Sequence, residues 1–189
     1  MKVIQLHQKE KQLIALAVEN NRQAQQQIYV KFSPKMLSVC RQYIKDIHHA
    51  EDVMITGFMK VFTILKNFEH KGSFEGWIRR IMVYECIDFL RVKKNNFNHQ
   101  DIEEVTYMEN ESGYEMEEFS VDDIQNLIDN LPDGYKMVFN LYAIEGYKHQ
   151  EIAQMLKISE GTSKSQLSHA RKMLQQQITE LKKKQNAVQ

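Results

Sequence analysis

Between residues 96 and 123 the chain carries ten Asp or Glu and no Lys or Arg. So dense a run of one sign resists burial, because an ionised carboxylate taken out of water without a partner is costly. Glu103, Glu104, Glu109, Glu111, Glu115, Glu117 and Glu118 follow no helical period, so the stretch reads as a flexible tether. Cores must then form on either side of it. The chain divides into a helical segment at 1–95, an acidic linker at 96–120 and a second segment at 121–189. Residues 1–95 hold 16 Lys or Arg against 9 Asp or Glu, and residues 124–189 hold 9 against 6. The formal net charge of zero thus conceals two basic segments, and a basic segment suits a polyanion because neutralised phosphates release counterions.

Both segments read as helical. Two prolines and seven glycines in 189 residues leave few breakers, and runs of alternating β-branched residues are too few to argue for a sheet. The expected fold is all-α: two small helical domains joined by an acidic flexible linker. No apolar run approaches a membrane span, and Met1–Glu10 is too polar for a secretory signal, which points to the cytoplasm and no membrane insertion. Cys40 and Cys86 are far apart and lack metal-ligand spacing, so both read as buried thiols.

From Tyr147 to Leu174 the pattern is a helix, a tight turn and a second helix. Ile152, Met155 and Leu156 make one apolar face of the first, Lys157-Ile158-Ser159 form the turn, and Ser159 has the hydroxyl of a good N-cap, with Glu160 in the first turn where the helix dipole favours it. The second helix shows two stripes. Ile158, Leu167, Ala170 and Leu174 fall on one side; Lys164, Ser165, Ser168, His169 and Lys172 fall on the other. A solvated amphipathic helix would look similar, but two short helices about a short capped turn are a form with few uses, among them entry into a DNA groove.

In the first segment, Leu13, Ile14, Leu16 and Ala17 begin one helical pattern, Ala24, Ile28, Tyr29 and Phe32 give a second, and Ser33-Pro34 is expected to start a third, with Pro34 at its first position. From about His49, Ala50, Val53, Met54, Gly57, Phe58, Val61, Phe62 and Leu65 follow a single buried face, and Ile55 and Met59 lie off it, one turn apart. Such a pair marks a protein partner or two scattered surface hydrophobes. After a polar loop, Glu69-His70-Lys71-Gly72-Ser73, a long helix from about Phe74 to Lys94 mixes Phe74, Trp77 and Tyr84 with Arg79, Arg80, Arg91, Lys93 and Lys94. Aromatics among cations can stack on unpaired bases while tracking a backbone. The alternative is that Trp77, Ile78, Ile81, Met82 and Phe89 form the core with the charges as its rim; core is the favoured reading for Trp77 itself, and nucleic-acid contact is at least as good a reading for the loop and the arginines.

These residues carry a family resemblance. Ala50-Glu51-Asp52-Val53 to Phe58-Met59-Lys60-Val61-Phe62, Phe74-Glu75-Gly76-Trp77-Ile78-Arg79-Arg80-Ile81 and Ile87-Asp88-Phe89-Leu90-Arg91 resemble region two of the extracytoplasmic-function sigma factors of bacterial RNA polymerase. Leu131-Pro132 to Phe139-Asn140-Leu141, Glu145 to Ala153 and Gly161-Thr162-Ser163-Lys164-Ser165 resemble their region four. The resemblance implies that Asp52, Ile55, Thr56 and Met59 dock on the clamp helices of the large polymerase subunit. It implies that Lys71, Ser73, Phe74, Trp77, Arg79, Arg80 and Tyr84 recognise and open the minus-ten element. Thr162, Lys164, Ser165, Ser168, His169, Arg171 and Lys172 would read the minus-thirty-five element, with the polymerase flap as a further partner of region four. An anti-sigma factor is implied as a regulator, with no cofactor, no metal and no catalysis of the chain's own.

Departures fall on functional positions. Ile55 and Thr56 stand where the family commonly has Gln and an acidic residue, Tyr84 where it has Asn, Ser163 at an apolar position and His169 at a frequent arginine. An altered promoter sequence is the simplest consequence. A rival reading is a sigma-like protein that binds a regulator without initiating transcription. An enzyme has little support, since the seven histidines lack ligand spacing and no nucleophile sits in a recognisable setting. If the polar stripe of the second helix meets DNA, replacing Lys164 and Lys172 by Ala should weaken promoter binding and flatten its salt dependence, each lost phosphate contact lowering the log–log slope by about 1. Titration at several salt concentrations checks this, and an unchanged slope would place the stripe off the DNA.

Overall fold

The structure, a computed structural model, describes residues 2–96 and 120–186, all helices and connecting turns. These fall into two compact units that divide after Asn96. Apart from Asn96 and Ser120, the linker expected at 96–120 lies outside the described residues.

The first unit is built from α1 (Lys2–Val18), α2 (Arg22–Tyr43), α3 (Ile47–Ile64) and α4 (Phe74–Asn96). Leu13 to Ala17 therefore close the first helix rather than open it, and only Ile14 and Ala17 of that group are buried, Leu16 remaining exposed. Capping sets two of the starts. Asn21 accepts from the Ala24 N–H at 3.0 Å, and Asp46 accepts from the His49 N–H at 3.0 Å. The backbone hydrogen bond to Asp46 also holds its carboxyl below its ordinary pKa.

Pro34 does not begin a helix; α2 runs through it. Pro34 lacks the N–H that would bond the carbonyl four residues back, a defect that normally ends a helix. Here Ile28 and Phe32 before it and Met36, Val39 and Cys40 after it are all buried on the same face. Packing on both sides holds the helix together across the missing bond.

Helices α2, α3 and α4 pack mutually, with α1 laid on α2. Ala50, Val53, Met54, Phe58 and Val61 of α3 are buried as their spacing predicts, while Phe62 is half-buried. At Gly57 α3 lies so close to α4 that an added Cβ would collide with Met82 Sδ. From α4, Ile78, Ile81 and Met82 join the core, whereas Trp77 and Phe89 are only half-buried. Cys40 and Cys86 are both buried thiols. After α3, a 3-10 turn at Leu65–Asn67, invisible in the hydrophobic pattern, buries Leu65 and leads into the loop before α4.

The second unit comprises α5 (Val121–Asp129), α6 (Asp133–Phe139), α7 (His149–Leu156) and α8 (Glu160–Asn186), with a π-helical segment at Asn140–Ile144 continuing α6. Ser120 and Asp123 form a reciprocal capping box at the start of α5. Helix α8 is the spine, and α5, α6 and α7 all pack on it. Between α5 and α6 lies an ion pair almost wholly out of water, Lys136 Nζ to Asp129 Oδ1 at 3.5 Å with side chains 6% and 1% exposed; Gln125 also donates to that carboxylate at 3.3 Å.

Removing one member of such a pair strands the other. Asp129→Ala should therefore destabilise the second unit by about 3–5 kcal/mol, whereas Asp129→Leu together with Lys136→Met should cost far less. Thermal unfolding of the three proteins measures this, and equal losses from the single and double changes would contradict it.

Candidate nucleic-acid interface

In the second unit the reversal between α7 and α8 takes three residues. Lys157 adopts a left-handed conformation (φ 56°), and its N–H and that of Ile158 both donate to the Ala153 carbonyl, closing α7. Ser159 Oγ then accepts from the Thr162 N–H at 2.9 Å, opening α8. At the far end of α7, the Glu151 carboxylate accepts from the Lys148 N–H at 2.7 Å. The helix-turn-helix expected from the sequence is present with the expected turn, although α8 continues twelve residues past Leu174, to Asn186.

The two stripes of α8 separate only in part, since His169 and Lys172 of the polar stripe are half-buried. Ser163, Leu167 and Ala170 are buried, with Leu174 and Ile158 half-buried; Lys164, Ser165 and Ser168 are exposed. Ser163, fully buried, is not a defect in the apolar stripe, because its Oγ lies 2.9 Å from His149 Nδ1 and supplies a polar tie between α7 and α8. The His149 ring in turn stacks on Tyr142 at 4.6 Å, and the Arg171 guanidinium lies 5.7 Å from the same Tyr142 ring. This column was missed in the sequence because its members are far apart along the chain.

The polar side chains are not all equally available. Thr162 Oγ1 lies 2.8 Å from Ser159 Oγ, and Ser165 donates to the Thr162 carbonyl at 3.0 Å. His169 is half-buried and stacks on Tyr135 with ring centroids 5.5 Å apart, which puts it on the flank of the exposed face. Lys172 is half-buried as well, while Arg171 is exposed. Lys164 Nζ sits 2.7 Å from Glu160, and that hydrogen bond, with the accompanying charge attraction, holds the Glu160 carboxyl below its ordinary pKa.

In the first unit the loop before α4 is an aromatic corner. Phe68 packs against Phe74 at 5.1 Å and Trp77 at 5.4 Å, Phe74 and Trp77 lie nearly parallel, and His70 sets its ring edgewise to Phe68 at 4.8 Å. The loop turns through two left-handed residues, His70 (φ 57°) and Gly72 (φ 86°). Ser73 ends it by accepting from the Gly76 N–H at 3.0 Å. Of the residues expected to meet an opened strand, Phe74 is in the core at 2% exposure and Ser73 serves as a cap, while Trp77, Arg79 and Tyr84 are half-buried and Lys71 and Arg80 are exposed. Lys71 pairs with Glu69 at 2.7 Å on the surface. On α3, Ile55 (47%) and Met59 (68%) are exposed one turn apart beside Asp52 and Thr56, whose hydroxyl donates to the Asp52 carbonyl.

Among the described residues no group of three His, Cys, Asp or Glu is placed to hold a metal ion, and no helix is long and apolar enough to cross a membrane.

Helical throughout the described residues, with a capped helix-turn-helix on the second unit, the fold has the form used by DNA-binding regulators. Comparison with known proteins narrows the class. Residues 28–96 match the family described as Sigma-70 region 2 and residues 122–174 the one described as Sigma-70, region 4, together well over half of the 189 residues. The chain therefore belongs to the sigma-70 family, in its extracytoplasmic-function group: it is an alternative sigma factor that directs core RNA polymerase to promoters and initiates transcription. It is 28% identical over 163 residues to the ECF RNA polymerase sigma factor SigW of Bacillus subtilis, spanning 79% of this chain and 86% of that protein. To the ECF RNA polymerase sigma-E factor of Escherichia coli it is 22% identical over 165 residues, 82% of this chain and 86% of that one. Among solved structures, its fold resembles the sigma factor RpoE of Bartonella quintana in complex with the anti-sigma factor NepR, with a TM-score of 0.53, 19% identity, and coverage of 82% and 96%.

The His149–Ser163 tie has a measurable worth. A double-mutant cycle of His149→Ala and Ser163→Ala should return a coupling of about 1 kcal/mol in unfolding free energy. Strictly additive losses would mean that the two side chains act separately.

Proposed function

We propose that the two units grip a promoter at two points. The carrying observation is the pairing of an aromatic corner at Phe68–Trp77, with Arg79 and Arg80 following it on α4, in the first unit with an open polar face on α8 in the second. Single-stranded nucleic acid is held by stacking on aromatic rings beside cations, and duplex DNA is read by a helix in the major groove. On this reading Trp77, Lys71, Arg79, Arg80 and Tyr84 hold the opened minus-ten strand, and Phe74 and Ser73 shape the corner. Lys164, Ser165, Ser168, Arg171 and Lys172 meet the minus-thirty-five element, with Thr162 and His169 bordering them. The chain supplies recognition and strand capture, and the polymerase supplies the chemistry.

Ile55 and Met59, with Asp52 and Thr56, form the contact with the clamp helices of the large polymerase subunit. Their exposure supports this, since a paired apolar surface on an amphipathic helix gains by being covered. Region four meets the polymerase flap, residues 1–95 and 121–189 act as the two domains, and the acidic 96–120 stretch joins them in the cytoplasm. An anti-sigma factor that covers these surfaces would hold the protein inactive; the RpoE structure bound to NepR supports such a partner.

Run-off transcription with core polymerase and genomic fragments tests the whole reading, and transcripts that require the chain are expected. Ile55→Asp and Met59→Asp, both at exposed positions, should lower affinity for core polymerase at least about tenfold, a loss within the range of an interface hot spot. Unchanged affinity in both variants would remove α3 from the interface. Failure of the unaltered protein to associate with core polymerase would favour the regulator-binding alternative.

A further inference from the structure

The first turn of α8 comprises Glu160, Gly161, Thr162 and Ser163, and most of it has no polar side chain to offer outward. Gly161 has none, the Thr162 hydroxyl is engaged with Ser159, and Ser163 is buried against His149. Glu160 remains. Its carboxylate is not required as a cap, because Ser159 already receives the Thr162 N–H. Lys164, one turn on, is held 2.7 Å from it, and both side chains are about half exposed, at 51% for Glu160 and 60% for Lys164. A Cβ on Gly161 would meet nothing closer than Ser159 Oγ at 3.6 Å, so the start of the helix presents a low, open backbone beside this pair.

We infer that Glu160 is a specificity-determining residue, accepting a hydrogen bond from the N4 amino group of a cytosine in the upstream promoter element, with Lys164 beside it within reach of a phosphate. The inference rests on the reading that α8 enters the major groove. Residues at the start of a recognition helix contact base edges there, and a carboxylate is the side chain suited to the cytosine amino group. A bare carboxylate facing phosphates would be repelled. Lys164 offsets that charge while adding a donor of its own. The ordinary role of an acidic residue in a first turn, favouring the helix dipole, is indifferent to base sequence. Base preference therefore separates the two roles.

The test uses the full chain with core polymerase and a promoter library randomised across the minus-thirty-five element, with heparin-resistant complexes recovered and sequenced. The unaltered protein should enrich cytosine at one position. Glu160→Ala should lose that enrichment by about tenfold, and Glu160→Gln should move it toward adenine, whose N6 and N7 suit a carboxamide, with other positions unchanged. If both variants retain the unaltered base distribution, Glu160 does not read a base; a uniform rise in binding with the same distribution would assign it to phosphate repulsion alone, and either result overturns the inference. If the unaltered protein enriches no sequence at all, the groove-entry reading fails first and takes this inference with it.

Discussion

The reversal at Lys157–Ser159 is the constraint on which the second unit depends. One left-handed residue closes α7 and one hydroxyl opens α8, so the crossing of the two helices is set within three positions. That crossing decides which residues of α8 turn inward, Ser163, Leu167 and Ala170, and hence which are left outside. A longer or looser turn would let α8 rotate, and the polar stripe would rotate with it. The tie between Ser163 and His149 acts against that freedom. A purely apolar contact tolerates small slips because dispersion is non-directional, whereas a hydrogen bond across the helix pair has one good geometry.

The first unit solves a different problem. It keeps aromatic surface near water at Trp77, although exposed aromatic rings invite collapse. Phe74 is sunk into the core against Phe32 and Phe68, and Trp77 rests half-covered on top of it. The buried ring thus acts as a plinth for the half-buried one. Left-handed backbone at His70 and Gly72 lets the loop double back onto Phe68 within a few residues.

Much of this was legible in the sequence because it is local. The cap at Ser159, the buried face of α3 and the two stripes of α8 follow from spacing and side-chain chemistry within a turn or two. What escaped is what depends on distant partners. Pro34 reads as a helix start until the buried residues on both sides of it are known to share one core. Ser163 reads as an interruption until His149, fourteen residues earlier, comes to meet it. Phe74 and Ser73 carry the right chemistry for a nucleic-acid contact, but neighbours decide that one is core and the other a cap. The π-helical segment at Asn140–Ile144, which carries Tyr142 to His149, has no signature in hydrophobic period.

Both cysteines of the chain, Cys40 and Cys86, lie in the core of the first unit, and the second unit has none. Thiol chemistry therefore reports on one unit alone. A reagent in solution meets these buried sulfurs only when the helices of the first unit part, so the rate at which they are labelled is a clock for the opening of that unit, unblurred by motions of the second.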